Sequence, residues 1–189
     1  MNSSEIITLE PFEKADIARL ISWIPSAKFL LQWAGPGYCF PLTEDQILAH
    51  LYGPSVLKRK TIVLKAISSL SLEVIGHGEI LGIDLDQQSA VLGRILIGPE
   101  SYRGQGYGLH LVQALTRYAF DHFPIHRLAL NVFSDNTSAI HCYENAGFVR
   151  EGELRDARYF DGDFISVTIM SILKSEFDRI RSRLENIEK

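Results

Sequence analysis

The sequence predicts an α/β protein built on a mixed, mostly antiparallel sheet. Three observations carry this expectation. Apolar, β-branched stretches follow one another between residues 61 and 97 with only short turns between them. Helical periodicity then alternates with single strands from residue 107 to residue 173. A glycine-rich turn, Arg103-Gly104-Gln105-Gly106-Tyr107-Gly108, joins a strand to a helix.

Residues 5–9 read as a first short strand. Residues 14–23 form an amphipathic helix with Ile17, Leu20 and Ile21 on one face, stopped by Pro25. An irregular, aromatic-rich stretch follows, holding Phe29, Trp33, Tyr38 and Phe40. Thr43-Glu44-Asp45-Gln46 has capping-box spacing and opens a helix to about Tyr52, ended by Gly53-Pro54. Strands are expected over 61–67, within 72–83 and over 90–97. Their short connections favour antiparallel neighbours. A helix runs from the glycine turn through Phe120, with Leu109, Val112, Leu115 and Ala119 on one side. A strand over 127–133, a helix over 136–146 with Gly147 as its C′ residue, and strands over 148–153 and 164–173 complete the order. The charged stretch 174–189 is left open between a final helix and a frayed tail. The expectation is six to seven strands flanked by about four helices.

Composition narrows the class. The chain has 189 residues, 46% hydrophobic and 22% charged, with a net charge of −4 and no basic block. That suits one globular domain over residues 1–189 and does not suit a nucleic-acid binder. Cys39 and Cys142 have no metal-ligand or disulfide-framework spacing, so no metal is expected and a reducing setting fits. The first residues carry acids and lack an apolar signal core. The uncharged run over 29–43 is broken by Gly35, Pro36, Gly37 and Pro41 and cannot span a bilayer as a helix. A soluble, cytoplasmic protein is expected.

The glycine turn is the strongest local signal. Its glycines admit close backbone approach and left-handed conformations. Free N–H groups at the helix start, with the positive end of its dipole, make an anion site, and Arg103 adds a cation. The turn lacks the Lys-Ser/Thr ending of a Walker loop. Its GxGxG spacing also departs from a dinucleotide fingerprint.

The spacing Arg103-x-x-Gly106-x-Gly108 resembles the coenzyme A pyrophosphate loop of the GCN5-related N-acetyltransferase (GNAT) family. The later segment from Asn131 through Asn136, Tyr143, Gly147 and Phe148 is similar to that family's second signature. The close match covers about residues 90–150. The stretch Glu151-Gly-Glu-Leu-Arg-Asp156, with Tyr159 and Asp161-Gly162-Asp163, is similar to the branch acting on ribosomal-protein N-termini and polyamines. The resemblance implies a GNAT fold: an acceptor side over 1–55, a sheet core with the acetyl-CoA site over 60–173, and a charged tail. It also implies that acetyl-CoA is co-substrate and that an acetyl group passes to a primary amine by direct attack.

By the same resemblance, Ile95, Leu96 and Ile97 align with the pantetheine arm. Arg103, Gly104, Gln105, Gly106, Tyr107 and Gly108 hold the pyrophosphate. Asn136 hydrogen-bonds the arm, and Tyr143 lies near the thioester sulfur. A backbone N–H of the strand at 95–97 would stabilise the oxyanion. Tyrosine, with a reference pKa of about 10, is a weaker acid than a thiol at about 8.5, so full proton transfer is uphill by about 2 kcal/mol. A hydrogen bond to the departing thiolate is the better description. Some relatives carry a glutamate base where this chain has Asn131. Glu79 and His77, two apart on one strand and so on one face, are the candidate bases, with Asp84 a weaker third. Trp33, Tyr38 and Phe40, with Trp23, lie where relatives build an acceptor wall, and Glu79 could also meet the acceptor. Asp156, Asp161 and Asp163 could attract a cationic acceptor. A coenzyme A-binding sensor without catalysis is the alternative reading. A homodimer is left open, although the sequence shows no clear apolar stripe for it, and the acceptor amine is not specified by the sequence.

Overall fold

The computed structural model describes residues 6–53 and 61–187. Pro54, residue 60 and the last two residues of the expected tail lie outside them. Seven strands form one sheet: β1 (Ile7–Pro11), β2 (Ile62–Ser68), β3 (Val74–Asp84), β4 (Ser89–Ile97), β5 (Arg127–Phe133), β6 (Val149–Phe160) and β7 (Asp163–Leu173), in the order β1-β2-β3-β4-β5-β7-β6. Every neighbouring pair is antiparallel except β4 and β5, which run parallel. The six α-helices of the described residues are α1 (Ile17–Ser22), α2 (Ala27–Ala34), α3 (Glu44–Tyr52), α4 (Tyr107–His122), α5 (Thr137–Asn145) and α6 (Lys174–Ile187).

Local chemistry accounts for most of these boundaries. Thr43 Oγ1 accepts from Gln46 N, as the capping-box spacing predicts, and α3 ends where Gly53 takes an extended conformation. Gly147 follows α5 with φ 99°, a conformation that costs a non-glycine residue about 1–2 kcal/mol. One expectation needs correction, and one point left open is decided. The aromatic stretch is not irregular: Ser26 caps α2 by accepting from Phe29 N, and the helix formers of Ala27–Ala34 run until Gly35 reverses the chain. The charged tail is helical from Lys174, because Phe177 and Ile180 pack on the core while Asp178, Arg179 and Arg181 face solvent.

Two cores result. The larger lies between the sheet and α4, with Leu111, Val112, Leu115, Ala119 and Phe120 packed on Ile75, Ile80, Leu92, Leu128 and Leu130. Helix and sheet approach closely because β3 carries Gly78. A Cβ there would stand 2.4 Å from Leu115 Cδ1. The smaller core gathers Ile17, Leu20, Leu30 and Ile47 from α1, α2 and α3 around Leu96 of β4. It fastens the N-terminal helices over the end of β4, which is where the cleft opens.

Candidate active site

The cleft originates in the backbone. β4 and β5 pair only from Ser89 and Arg127 to Leu92 and Leu130. Beyond that point they diverge, and the β4 edge from Gly93 to Ile97 has no strand beside it. The divergence coincides with a bulge. Between β3 and β4, His77 pairs with Leu96 but Glu79 pairs with Gly93, so β4 carries one extra residue. Within it, Arg94 has φ 48°, a backbone region normally left to glycine and costing about 1–3 kcal/mol for other residues.

The resulting cavity is about 640 Å³. Its walls are β4 from Leu92 to Ile97, β5 from Leu130 to Val132, α2 through Phe29 and Trp33, and the facing ends of α4 and α5. At one end lies the glycine turn. Gly104 (φ 72°) and Gly106 (φ 87°) adopt left-handed backbones, and a Cβ on either would meet nothing within 4 Å. No side chain caps the first turn of α4, which leaves its leading amides to the cleft. An open glycine cradle at the start of a 16-residue helix fits a pyrophosphate.

Gly104, Gly106, Gly108 and Arg103 line this cavity; Gln105 and Tyr107 do not. Gln105 turns its amide to the Ser101 carbonyl, and Tyr107 packs edge-on against Tyr102. Arg103 donates through Nε to the Ile97 carbonyl (2.9 Å) and through Nη2 to that of Gly98 (2.6 Å), while its guanidinium lies over Phe29. It therefore braces the loop against the end of β4 besides lending charge.

On the opposite wall, Asn136 Oδ1 caps α5 by accepting from Ala139 N (3.3 Å) and Ser138 Oγ (3.2 Å). The carboxamide nitrogen remains for a ligand. Tyr143 is seven residues further on, two helical turns or about 10 Å along the same face. Both line the cleft, as do Ile95, Leu96 and Ile97. Burial raises the pKa of the Tyr143 hydroxyl, and neighbouring Cys142 pushes it the same way.

The acceptor end holds a polar cluster that sequence reasoning found only in part. Glu79 is almost fully buried. Its Oε2 accepts from Arg94 Nη1 (2.7 Å) and His50 Nε2 (2.8 Å), and its Oε1 from His77 Nε2 (3.2 Å). An ionised carboxylate only accepts, so both imidazoles present Nε2–H to it. The 3.3 Å approach of Arg94 Nη1 to His50 Nε2 is then a contact of two donors rather than a hydrogen bond. Burial alone would raise the Glu79 pKa. The hydrogen bonds of His50 and His77 and the Arg94 charge outweigh it and hold the carboxyl far below its usual range.

Neither Glu79 nor His77 lines the cavity, whereas Arg94 and Trp33 do. Tyr38 stacks on Trp33 (6.2 Å, 6°), and Arg94 lies over the other ring of that pair, Tyr38, at 5.2 Å. Phe40 is half exposed and away from the cavity. Trp23 packs where a Cβ on Gly98 would come within about 2 Å of its ring, fixing the end of β4. Among the described residues, the buried side-chain nitrogens without a partner are Trp33 Nε1, His77 Nδ1 and Arg94 Nε, all in this cluster. His50 and Arg94 escaped the sequence reading. Arg94 left a signal, a lone charge in an otherwise apolar strand. His50 left none, because only the fold brings it to Glu79.

A split sheet, a glycine cradle at a helix start and a tyrosine on the facing helix define an acyl-coenzyme A site. The Acetyltransferase (GNAT) family model matches residues 25–148, more than half of the chain, and the chain belongs to that family. It is an N-acetyltransferase with acetyl-CoA as co-substrate. Spermidine N(1)-acetyltransferase of Vibrio cholerae is 29% identical over 178 residues, 94% of this chain and 97% of that protein. Aminoglycoside N(6')-acetyltransferase type 1 of Klebsiella pneumoniae is 28% identical over 190 residues, 96% of this chain and 90% of that one. A solved structure of the V. cholerae spermidine N-acetyltransferase in complex with CoA and spermine superposes with a TM-score of 0.76 at 25% identity, covering 91% of this chain and 98% of that one.

Proposed function

We propose that this enzyme acetylates a primary amine of a small multi-amine molecule, of the spermidine or aminoglycoside kind its relatives act on. The carrying observation is the continuous cleft, which runs from the glycine cradle past Tyr143 to the aromatic wall at Trp33. Gly104, Gly106 and Gly108 receive the pyrophosphate at the start of α4. The unpaired edge of β4 over residues 93–97 receives the pantetheine arm. Asn136 steadies that arm through its free amide nitrogen. The amine enters beside Trp33 and attacks the thioester carbonyl, whose developing negative charge a β4 N–H stabilises. Acetyl-CoA supplies the activated acyl group. Tyr143 donates a hydrogen bond to the leaving sulfur. With its pKa raised, full proton transfer from the tyrosine is more uphill than the reference values imply.

No carboxylate lines the cavity among the described residues, and Asn131 stands there instead. The amine therefore gives up its proton to solvent. His77 supports a second reading: its Nε2 is held by Glu79 and its Nδ1 has no side-chain or backbone partner, so a proton could reach it through water, although the ring is buried behind the cavity wall. Asp135, Glu153, Asp161 and Asp163 line a second hollow together with Lys28, and the excess of acids there favours cationic acceptors. Asp156 lies outside that hollow. A dodecameric structure exists of the V. cholerae spermidine N-acetyltransferase, and we extend only self-association to this chain.

Thiol release from acetyl-CoA should be followed with spermidine, spermine, an aminoglycoside and a peptide with a free N-terminus, beside calorimetric coenzyme A binding. Turnover favouring the multi-amine compounds is expected. Preference for the peptide would overturn the acceptor class. Binding without any turnover would leave a coenzyme A sensor.

A further inference from the structure

We propose that Glu79 and Arg94 are positioning residues for acetyl transfer: their ion pair holds the β4 bulge that opens the cleft and aims backbone N–H groups at the thioester carbonyl. This rests on the acetyltransferase reading and assigns Glu79 a structural task in place of proton transfer.

Four observations converge. The extra residue of β4 lies between the Leu96 and Gly93 pairings, immediately after the last parallel pair of Leu92 with Leu130. Arg94 occupies that bulge with φ 48°, where glycine would sit without strain. Its side chain is held from several sides: Glu79 Oε2 at 2.7 Å, the Tyr38 ring at 5.2 Å, and Gly37, where an added Cβ would touch Nη2 at 3.4 Å. Glu79 is itself fixed by His50 from α3 and by His77 from β3. The network thus ties α3, β3 and the loop after α2 to one strained backbone residue. Glu79 is walled off from the cavity, and its oxygens already accept three hydrogen bonds, so it is poorly placed to take a proton from an amine.

A backbone task and a chemical task differ in how glycine affects them. Glycine adopts the left-handed bulge without a side chain to pin it. Glu79→Gln removes the ion pair and is expected to lower kcat roughly 10²-fold, the scale of a lost oxyanion donor, with coenzyme A affinity retained. Glu79→Gln combined with Arg94→Gly should recover at least about tenfold of that loss. A proton-accepting Glu79 predicts instead that the double variant stays as slow as Glu79→Gln. That result, or wild-type kcat in Glu79→Gln, overturns the proposal.

A second comparison leaves Glu79 in place. Arg94→Gly and Arg94→Ala leave the same carboxylate with His50 and His77 but without its guanidinium, so they share the cost of losing that ion pair. Positioning predicts kcat about tenfold higher for glycine than for alanine, since alanine resists the left-handed backbone. Equal rates would mean that the guanidinium itself meets the acceptor, and would overturn the assignment. Wild-type turnover and coenzyme A binding test the acetyltransferase reading separately. These variant ratios test only the bulge.

Discussion

In the proposed mechanism, Tyr143 and the acceptor amine divide the proton chemistry of the site between them. The tyrosine hydroxyl, its pKa raised by burial, stays protonated and available as a donor across the working range. Tyr143→Phe is expected to lower kcat at least about tenfold while coenzyme A binding persists, because the lost bond forms chiefly as the sulfur becomes anionic. Calorimetry beside turnover checks both halves. The amine must be neutral to attack. Below a reference pKa of about 10.4 its neutral fraction rises about tenfold per pH unit. With deprotonation by solvent, kcat/KM should climb with that slope from about pH 6 to 8, and the profile should shift with the pKa of the amine supplied. A profile fixed in pH whatever the amine would transfer the proton to His77. No falling limb from Tyr143 is expected in that window, since its raised pKa moves its ionisation further up.

At the level of elements, the start of α4 and the start of α5 do different work. α5 is closed by its own cap, Asn136 to Ala139 N, so its first turn is satisfied within the chain. α4 has no side-chain cap, and its first turn is open toward the cavity. The difference is the reason we propose α4 as the anion-binding helix. Gly106→Val forces a β-branched side chain into a φ of 87° and projects it into the open cradle. It should weaken coenzyme A binding at least about tenfold, equivalent to about 1.4 kcal/mol, as read by calorimetry. The site of Gly108 is more tolerant, because its backbone is not left-handed and an added Cβ would make only an ordinary contact with Cys142 Sγ at 3.7 Å.

For the whole molecule, the cleft lies between the two cores rather than within either. The larger core holds β3, β4, β5 and α4 together; the smaller clamps α1, α2 and α3 onto Leu96. Coenzyme A touching β4, β5, α4 and α5 at once should therefore stabilise the entire fold. At a ligand concentration 100 times Kd, the gain is about 2.7 kcal/mol, and thermal melting should rise by roughly 5–10 °C for a chain of this size. Gly106→Val should show a smaller rise at the same coenzyme A concentration. A full rise in that variant would place the pyrophosphate elsewhere.

The architecture was legible in the sequence because local physics dictates it, and most residues expected to hold coenzyme A do line one cavity. Period-two and helical patterns set the strands and helices. The glycines of residues 104–108, and the Asn136-to-Tyr143 spacing on one helix, are short-range features that carry their chemistry with them. The acceptor half was not legible in the same way. Trp33 was found as a wall residue, but its position in a capped helix was missed because the Ser26 cap is a weak signal beside so many aromatics. His77 and Glu79 were found as a same-face pair, yet the partners that settle Glu79's charge come from Arg94 and His50, 15 and 29 residues away. The sequence by itself determined the order of elements and the glycine turn, since each depends on contacts between near neighbours, while the class of reaction came from the resemblance of two motifs to a family. Only the tertiary structure decided where β4 leaves β5, that Arg94 lies in the bulge at that point, and that Glu79 faces a closed network. Those depend on which distant groups share a low-dielectric space, and chain spacing does not encode that.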